Sequence, residues 1–87
     1  MNHNLDINKI IIQAKRKACN DAFLEIKRLL PKEINENELN KQIINFVKQI
    51  DYSDIANNKK LTLFFIGNKV YSDTLNKIKK FLRRYNV

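Results

Sequence analysis

The chain contains one cysteine, one histidine, one glycine, one proline and no tryptophan. Its lone Cys19 excludes an intramolecular disulfide, and the apolar neighbours favour a small core residue over a reactive thiol. We therefore expect a reduced, cytoplasmic protein. One glycine is too few for a glycine-rich phosphate loop, and the lone His3 argues against a histidine-based triad or a zinc site. The composition thus predicts no catalytic residues, no metal site and no cofactor, and we expect no enzymatic activity.

Long hydrophobic runs are also lacking. No stretch approaches the roughly 18 apolar residues of a membrane span, so we expect no membrane partner. The 87 residues are predicted to form a single domain, 1–87, with residues 1–5 as a frayed tail. A domain of this size buries roughly 60–65% of its unfolded surface, which predicts a stability of about 4–9 kcal/mol.

Positive charge is concentrated in the last third of the chain. The formal net charge is +8, and residues 55–87 hold eight cations against the single anion Asp73. Residues 33–54 have the opposite balance, with five anions against two cations. Clustered Lys and Arg indicate a polyanionic partner because they gain from releasing counterions from a phosphate backbone. Asn, Ile and Lys dominate the composition, which is typical of an AT-rich coding sequence in a low-GC bacterium, or in a phage or plasmid within one.

The first predicted helix spans residues 7–29, where apolar residues recur at spacings of three and four. Asp6 is a suitable N-cap, and Pro31 ends the helix. Further apolar residues, including Ile12 and Phe23, widen the apolar arc beyond a single stripe. An arc this wide predicts neighbours on two sides, including a second copy of the chain, so we expect a homodimer. The polar line on the opposite side, which contains Arg16, is most simply a solvated face.

A second helix is predicted over residues 36–50. Asn35 at the N-cap and Glu38 three residues later approximate a capping box, and apolar residues at 39, 43, 46, 47 and 50 share one face. The following segment, 51–60, is polar and turn-like. Ser53 and Asp54 are able to start one short helical turn there.

Residues 61–71 favour a β-hairpin. The run 61–66 is rich in β-forming residues, and Gly67-Asn68 is a two-residue turn signal before a second short strand at 69–71. One buried helical turn running into a loop is the alternative, since short apolar runs are ambiguous. Ser72 or Asp73 is then expected to cap the last helix. The predicted fold class is therefore α+β, mostly helical, with the order ααββα; the alternative is a small all-α bundle.

The candidate site is a set of cations on and before the last helix. Its members are Lys77, Lys79, Lys80, Arg83 and Arg84, assisted by Lys59, Lys60 and Lys69. Helical spacing places Lys77, Lys80 and Arg84 on one face and Lys79 and Arg83 on the other flank. Cations along this helix are expected to meet successive phosphates, and the two arginines suit a guanine edge. A solvated helix end is the simpler interpretation.

Three functions are compatible with these observations. The leading hypothesis is a small basic nucleic-acid-binding accessory protein of a phage or plasmid, which contacts the backbone of DNA or RNA. The alternative is a protein-interaction module, such as an inhibitor or immunity-type protein, that acts by contact with an acidic partner. A small basic ribonuclease toxin using Arg83, Arg84 and Tyr85 is a third, although one hairpin offers little sheet to hold a cleft.

Overall fold

A computed structural model of the chain describes residues 3–58 and 60–83, with side chains from residue 7 onward in those ranges. The described residues form four helices and no strand: α1 (His3–Lys27), α2 (Glu36–Lys48), α3 (Ser53–Ala56) and α4 (Leu63–Leu82). Helix α1 contacts each of the other three, and the long helices pack as a small bundle. The predicted α+β class is therefore wrong, and the all-α alternative describes the fold.

The three long helices run up, down and up. Gly67 lies against Ile10 near the start of α4 and α1, while Leu82 lies near Ile26 at the end of both helices. Helices α1 and α4 are therefore parallel, and α2 returns antiparallel to them. The resulting body is elongated, with principal extents of 49 × 18 × 18 Å.

The core has two parts along this long axis, because α2 is much shorter than α1. With 13 residues α2 covers about half of the 25-residue α1. One cluster joins the C-terminal halves of α1 and α4 to α2, and consists of Ala18, Ala22, Ile26, Leu39, Ile43, Val47, Ile78 and Leu82. The other fills the remaining half with Ile11, Ala14, Tyr52, Ile66 and Val70. The segment around α3 thus replaces α2 in covering the N-terminal half of α1.

The predicted hairpin is absent from the described residues, because 63–71 form the first part of α4. Thr62 is its N-cap, with its Oγ1 accepting from the Phe65 N–H at 3.1 Å, and the predicted caps Ser72 and Asp73 lie inside the helix. Gly67 makes no turn. A Cβ there would lie 3.3 Å from Ile10 Cγ2, so the missing side chain allows α1 to approach α4 closely.

The burial pattern of α4 explains why the hairpin prediction is wrong. Its buried residues follow one another at every fourth position, and are Ile66, Val70, Thr74, Ile78 and Leu82. This helical spacing continues without a break across Gly67 and Asn68. The packing of these buried residues against α1 outweighs the local preference for strand and turn. Tyr71 adds a polar tie between the two helices, its hydroxyl donating to Asp21 Oδ2 at 2.6 Å.

Of the other local predictions, the Asn35 cap and the turn at α3 are confirmed, whereas the Asp6 cap is wrong. Asn35 caps α2, its Oδ1 accepting from the N–H groups of Asn37 and Glu38 at 3.0 and 3.2 Å. Helix α2 ends at Lys48, two residues before the predicted end, and α3 forms the predicted short helical turn. Helix α1 begins at His3, so Asp6 lies within the helix instead of at its N-cap, and the Asp6 side chain is outside the described residues.

The wide apolar arc of α1 is covered largely from within the chain. Helix α4 packs along one side, while α2 and α3 share the other. Phe23 is half-buried against the first core cluster, whereas Ile12 remains 49% exposed. The apolar arc therefore does not require a second copy of the chain to cover it.

Replacing Thr62 by alanine is expected to lower the free energy of unfolding by about 1 kcal/mol, because the Phe65 N–H loses its cap. Ser72→Ala is the matched control. It removes a hydroxyl from an exposed position inside α4, so we expect a change within about 0.5 kcal/mol. Urea unfolding followed by circular dichroism measures both. A larger loss for Ser72→Ala than for Thr62→Ala would contradict the helix boundary.

Candidate functional site

The predicted cation set does not converge on one place. Lys60 precedes α4, Lys69 lies in its first half, and Arg83 follows its end. A helix of 20 residues rises roughly 30 Å, so Lys60 and Arg83 lie far apart. Lys59 and Arg84, also assigned to the site, lie outside the described residues.

The cations near the end of α4 point to two sides of the bundle. Lys77 and Lys80 line a shallow depression with Phe46 of α2. Lys79 and Arg83 line a separate depression of about 270 Å³ toward α1, together with Glu25, Leu29 and other residues. The two flanks expected from helical spacing are thus both present. They face different helices, and the Glu25 carboxylate lines the depression that contains Lys79 and Arg83.

Lys77 is already engaged within the chain. Its Nζ lies 3.0 Å from Asp73 Oδ2 and 5.4 Å from the ring centroid of Tyr52. Tyr52 is buried, and its hydroxyl donates to Asp73 Oδ2 at 2.8 Å and lies 2.7 Å from Thr74 Oγ1. This network fastens the segment before α3 to α4, so Lys77 and Asp73 have a structural role.

The ionisation of this network matches that role. Burial is the main cause that raises the pKa of Tyr52 to about 12, with the hydrogen bond to Asp73 adding to it. Burial also disfavours the charged form of Asp73, but the contacts from Lys77 and Tyr52 outweigh it and leave its pKa below the usual value. At neutral pH the phenol therefore donates to an ionised carboxylate.

A larger concave surface lies elsewhere, between α1 and α2. This groove has a volume of about 590 Å³. Its lining residues are Ile12, Lys15, Arg16, Cys19 and Asn20 of α1, and Asn40, Ile44, Val47 and Lys48 of α2. On each helix these positions lie three, four, seven or eight residues after the first of them, which places them on one face. Two helix faces that meet side by side therefore form the groove.

The floor of the groove is aliphatic. Ile12 is 49% exposed and Ile44 is 37% exposed, and Val47 and Cys19 lie beside them. Burial raises the pKa of the Cys19 thiol, with Lys15 opposing the shift, so the residue stays protonated at neutral pH and contributes apolar surface. An exposed apolar floor of this kind is suited to contact with another molecule.

The rim of the groove is cationic at one end. Because α1 and α2 are antiparallel, Lys15 and Lys48 share one end, while Asn20 and Asn40 lie toward the other. The Lys15 Nζ donates to the Ile50 carbonyl oxygen at 2.6 Å, just past the end of α2. Burial lowers the pKa of Lys15, although the nearby Asp51 carboxylate opposes that shift. Lys15 thus secures the helix pair.

Arg16 and Lys48 are the rim cations available to a partner. Both side chains are exposed, and within residues 7–58 and 60–83 neither forms an ion pair. The sequence-based interpretation placed Arg16 on a solvated face and gave Lys48 no role. The sequence signal for this site was the pair Ile12 and Ile44, each four residues before one of the two cations. Both lie beside the main apolar stripes of α1 and α2, which indicates that the helix faces holding Arg16 and Lys48 are not purely polar.

Exposed aromatic residues also occur at the start of α4. Phe64 is 81% exposed and Phe65 is 49% exposed. They belong to a helix that does not line the groove. They are therefore a surface feature separate from the candidate site.

Comparison of the chain with protein-family models, curated proteins and solved structures found no match in any of the three. Across the described part of the chain, no group of three or more histidine, cysteine or acidic side chains is arranged to hold a metal ion. None of the helices described here has the length and apolar character needed to cross a membrane.

Proposed function

We propose that this chain is a protein-interaction module that binds an acidic segment of a partner protein in the groove between α1 and α2. The observation that carries the proposal is the combination of an aliphatic floor with two rim cations, Arg16 and Lys48, that have no ion-pair partner among the described residues. An apolar centre with a charged rim is the usual anatomy of a protein–protein interface. Contact alone suffices for an inhibitor or immunity-type protein, which needs no catalytic group.

The groove fits an acidic protein better than a nucleic acid. Phosphate contacts need cations but no apolar floor, and proteins that bind single strands stack the bases on aromatic side chains. The groove is lined by aliphatic and polar side chains without an aromatic one. Binding of DNA or RNA through the α4 cations stays a prediction, as does the ribonuclease alternative, whose Arg84 and Tyr85 lie outside the described residues.

Charge also favours a partner other than a second copy in this groove. The chain has a formal net charge of +8, and the groove adds a local excess of cations. Like charges at an interface oppose association, whereas an acidic partner is attracted and steered toward it. The homodimer and the cytoplasmic location stay predictions, and sedimentation of the unmodified chain at micromolar concentration tests the first.

The test is selection of a display library of random peptides, about 16 residues long, against the immobilised chain. We expect the selected peptides to be acidic and to contain aliphatic residues. Arg16→Gln combined with Lys48→Gln should weaken their binding about 10-fold or more, because two charge contacts are lost. The control is Arg28→Gln combined with Lys41→Gln, which removes the same two residue types from exposed positions outside the groove. This control should change affinity less than about twofold.

Two outcomes would contradict the proposal. One is recovery of no acidic peptides, and the other is an equal loss of binding in the groove variant and its control. A labelled DNA duplex of about 30 base pairs, titrated between about 50 and 200 mM salt, tests the nucleic-acid prediction in parallel. Contact with five phosphates predicts a log–log slope of about −4 to −5.

A further inference from the structure

We infer that the segment bound in the groove is an amphipathic α-helix with an aliphatic face and carboxylates grouped toward one end. This inference rests on the proposed function and adds the conformation and the charge pattern of the partner segment. It follows from which modes of peptide recognition the groove allows, from its dimensions and from the uneven distribution of its polar groups.

An extended peptide has little to bind here. Strand addition requires a sheet edge with free backbone groups, but the groove is formed by two helices, and the described residues contain no strand. Polyproline segments dock against aromatic side chains, which this lining lacks. The remaining common mode is a helix laid in a groove between helices, with its apolar face on the floor.

The dimensions of the groove suit a short helix. The lining runs from Ile12 to Asn20 on α1 and from Asn40 to Lys48 on α2. Eight residue steps on a helix span about 12 Å, or slightly more than two turns. A partner helix therefore presents about two to three turns, with apolar residues at i, i+3 or i+4, and i+7 on the aliphatic floor.

The polar groups of the groove are arranged unevenly along it. Arg16 and Lys48 lie toward the end marked by Lys15, whereas the neutral amides of Asn20 and Asn40 lie toward the opposite end. Carboxylates gain most where they meet cations and little beside amides. The bound helix is therefore expected to hold its acidic residues over the first end and neutral polar residues over the second.

The experiment uses the selected acidic peptides, synthesised with a fluorescent label and measured by anisotropy against the full chain. A central exposed residue of each peptide is replaced either by proline, which breaks a helix, or by alanine, which favours one. We expect the proline peptide to bind about 10-fold or more weakly than the alanine peptide, which has the same charge. Circular dichroism should report helix gained by the peptide on binding.

Ile44→Asn provides the matching change in the protein, with Leu24→Asn as its control. Leu24 is 54% exposed on α1 and does not line the groove. We expect Ile44→Asn to weaken peptide binding about 10-fold and Leu24→Asn to change it less than about twofold. Thermal melts of both variants confirm that they are folded.

The two proposals fail in different ways. Acidic peptides that depend on Arg16 and Lys48 but tolerate proline would overturn the helical inference and leave the proposed function standing. Acidic peptides that bind as helices but place their carboxylates without preference along the sequence would overturn the charge pattern alone. Loss of the dependence on Arg16 and Lys48 would overturn both proposals.

Discussion

Replacing Ile78 by alanine is expected to lower the free energy of unfolding by about 2–4 kcal/mol. Ile78 is fully buried and belongs to the cluster in which α1, α2 and α4 meet. Removing three carbons there loses the transfer free energy of the side chain and leaves a cavity that three packed helices close only in part. For a domain expected to have a stability of about 4–9 kcal/mol, this is a large share.

Urea unfolding followed by circular dichroism measures this change. Leu75→Ala is the graded comparison, because Leu75 is only half-buried and should cost less than Ile78→Ala. Lys80→Gln is the surface control and should stay within about 0.5 kcal/mol of the parent. An Ile78→Ala protein as stable as the Lys80→Gln protein would show that the cluster joining α1, α2 and α4 is not part of the core in solution.

Replacing Tyr52 by phenylalanine is expected to cost about 1–3 kcal/mol at neutral pH. The change removes the hydroxyl that donates to Asp73 and contacts Thr74, whose side chain is fully buried. The Thr74 hydroxyl is then left in the core without that partner. The comparison protein combines Thr74→Val with Tyr52→Phe and so removes both hydroxyl groups. If the unpaired Thr74 hydroxyl is the main cost, this double variant should be less destabilised than Tyr52→Phe alone.

The contribution of Tyr52 to stability should also disappear at alkaline pH. Its pKa rises from 10.0 to about 12 on folding, so the phenol is protonated in both states below pH 10 and the stabilisation is complete there. As the pH rises from 10 to 12, the unfolded chain loses this proton first, so the stabilisation that depends on the protonated phenol is lost progressively.

The measurement is the difference in unfolding free energy between the parent and Tyr52→Phe at pH 9, 10, 11 and 12. Tyr71, whose pKa is also raised, chiefly by its hydrogen bond to Asp21, titrates in both proteins and cancels in the difference. We expect the gap to be constant up to about pH 10 and to narrow above it. A gap that is unchanged from pH 9 to pH 12 would contradict the buried hydrogen-bonded phenol.

The amino-acid sequence alone determined the features that depend on near neighbours along the chain. The apolar spacing predicted α1 and α2, the Asn35 cap predicted where α2 begins, and the polar segment predicted the turn of α3. These features follow from apolar periodicity and from hydrogen bonds within one helical turn. Both depend only on residues that are close together in the sequence.

The tertiary structure decided the conformation of residues 61–71. Their β-forming side chains and the Gly-Asn pair favour a hairpin by local preference, yet α4 runs through them. The deciding interaction is the packing of the buried face of α4 against α1, which brings Gly67 close to Ile10 although the two are far apart in the sequence. Packing of a whole helix face outweighs a turn preference of a few residues.

The candidate site also depended on the tertiary structure. The cations of the last helix form a cluster in the linear sequence, but the fold turns them toward different helices and pairs Lys77 with Asp73. Arg16 and Lys48 are distant in the sequence, and the antiparallel packing of α1 and α2 brings them to one groove. Total charge is a property of composition, whereas a binding surface depends on which helix faces meet, and only the packed bundle determines that.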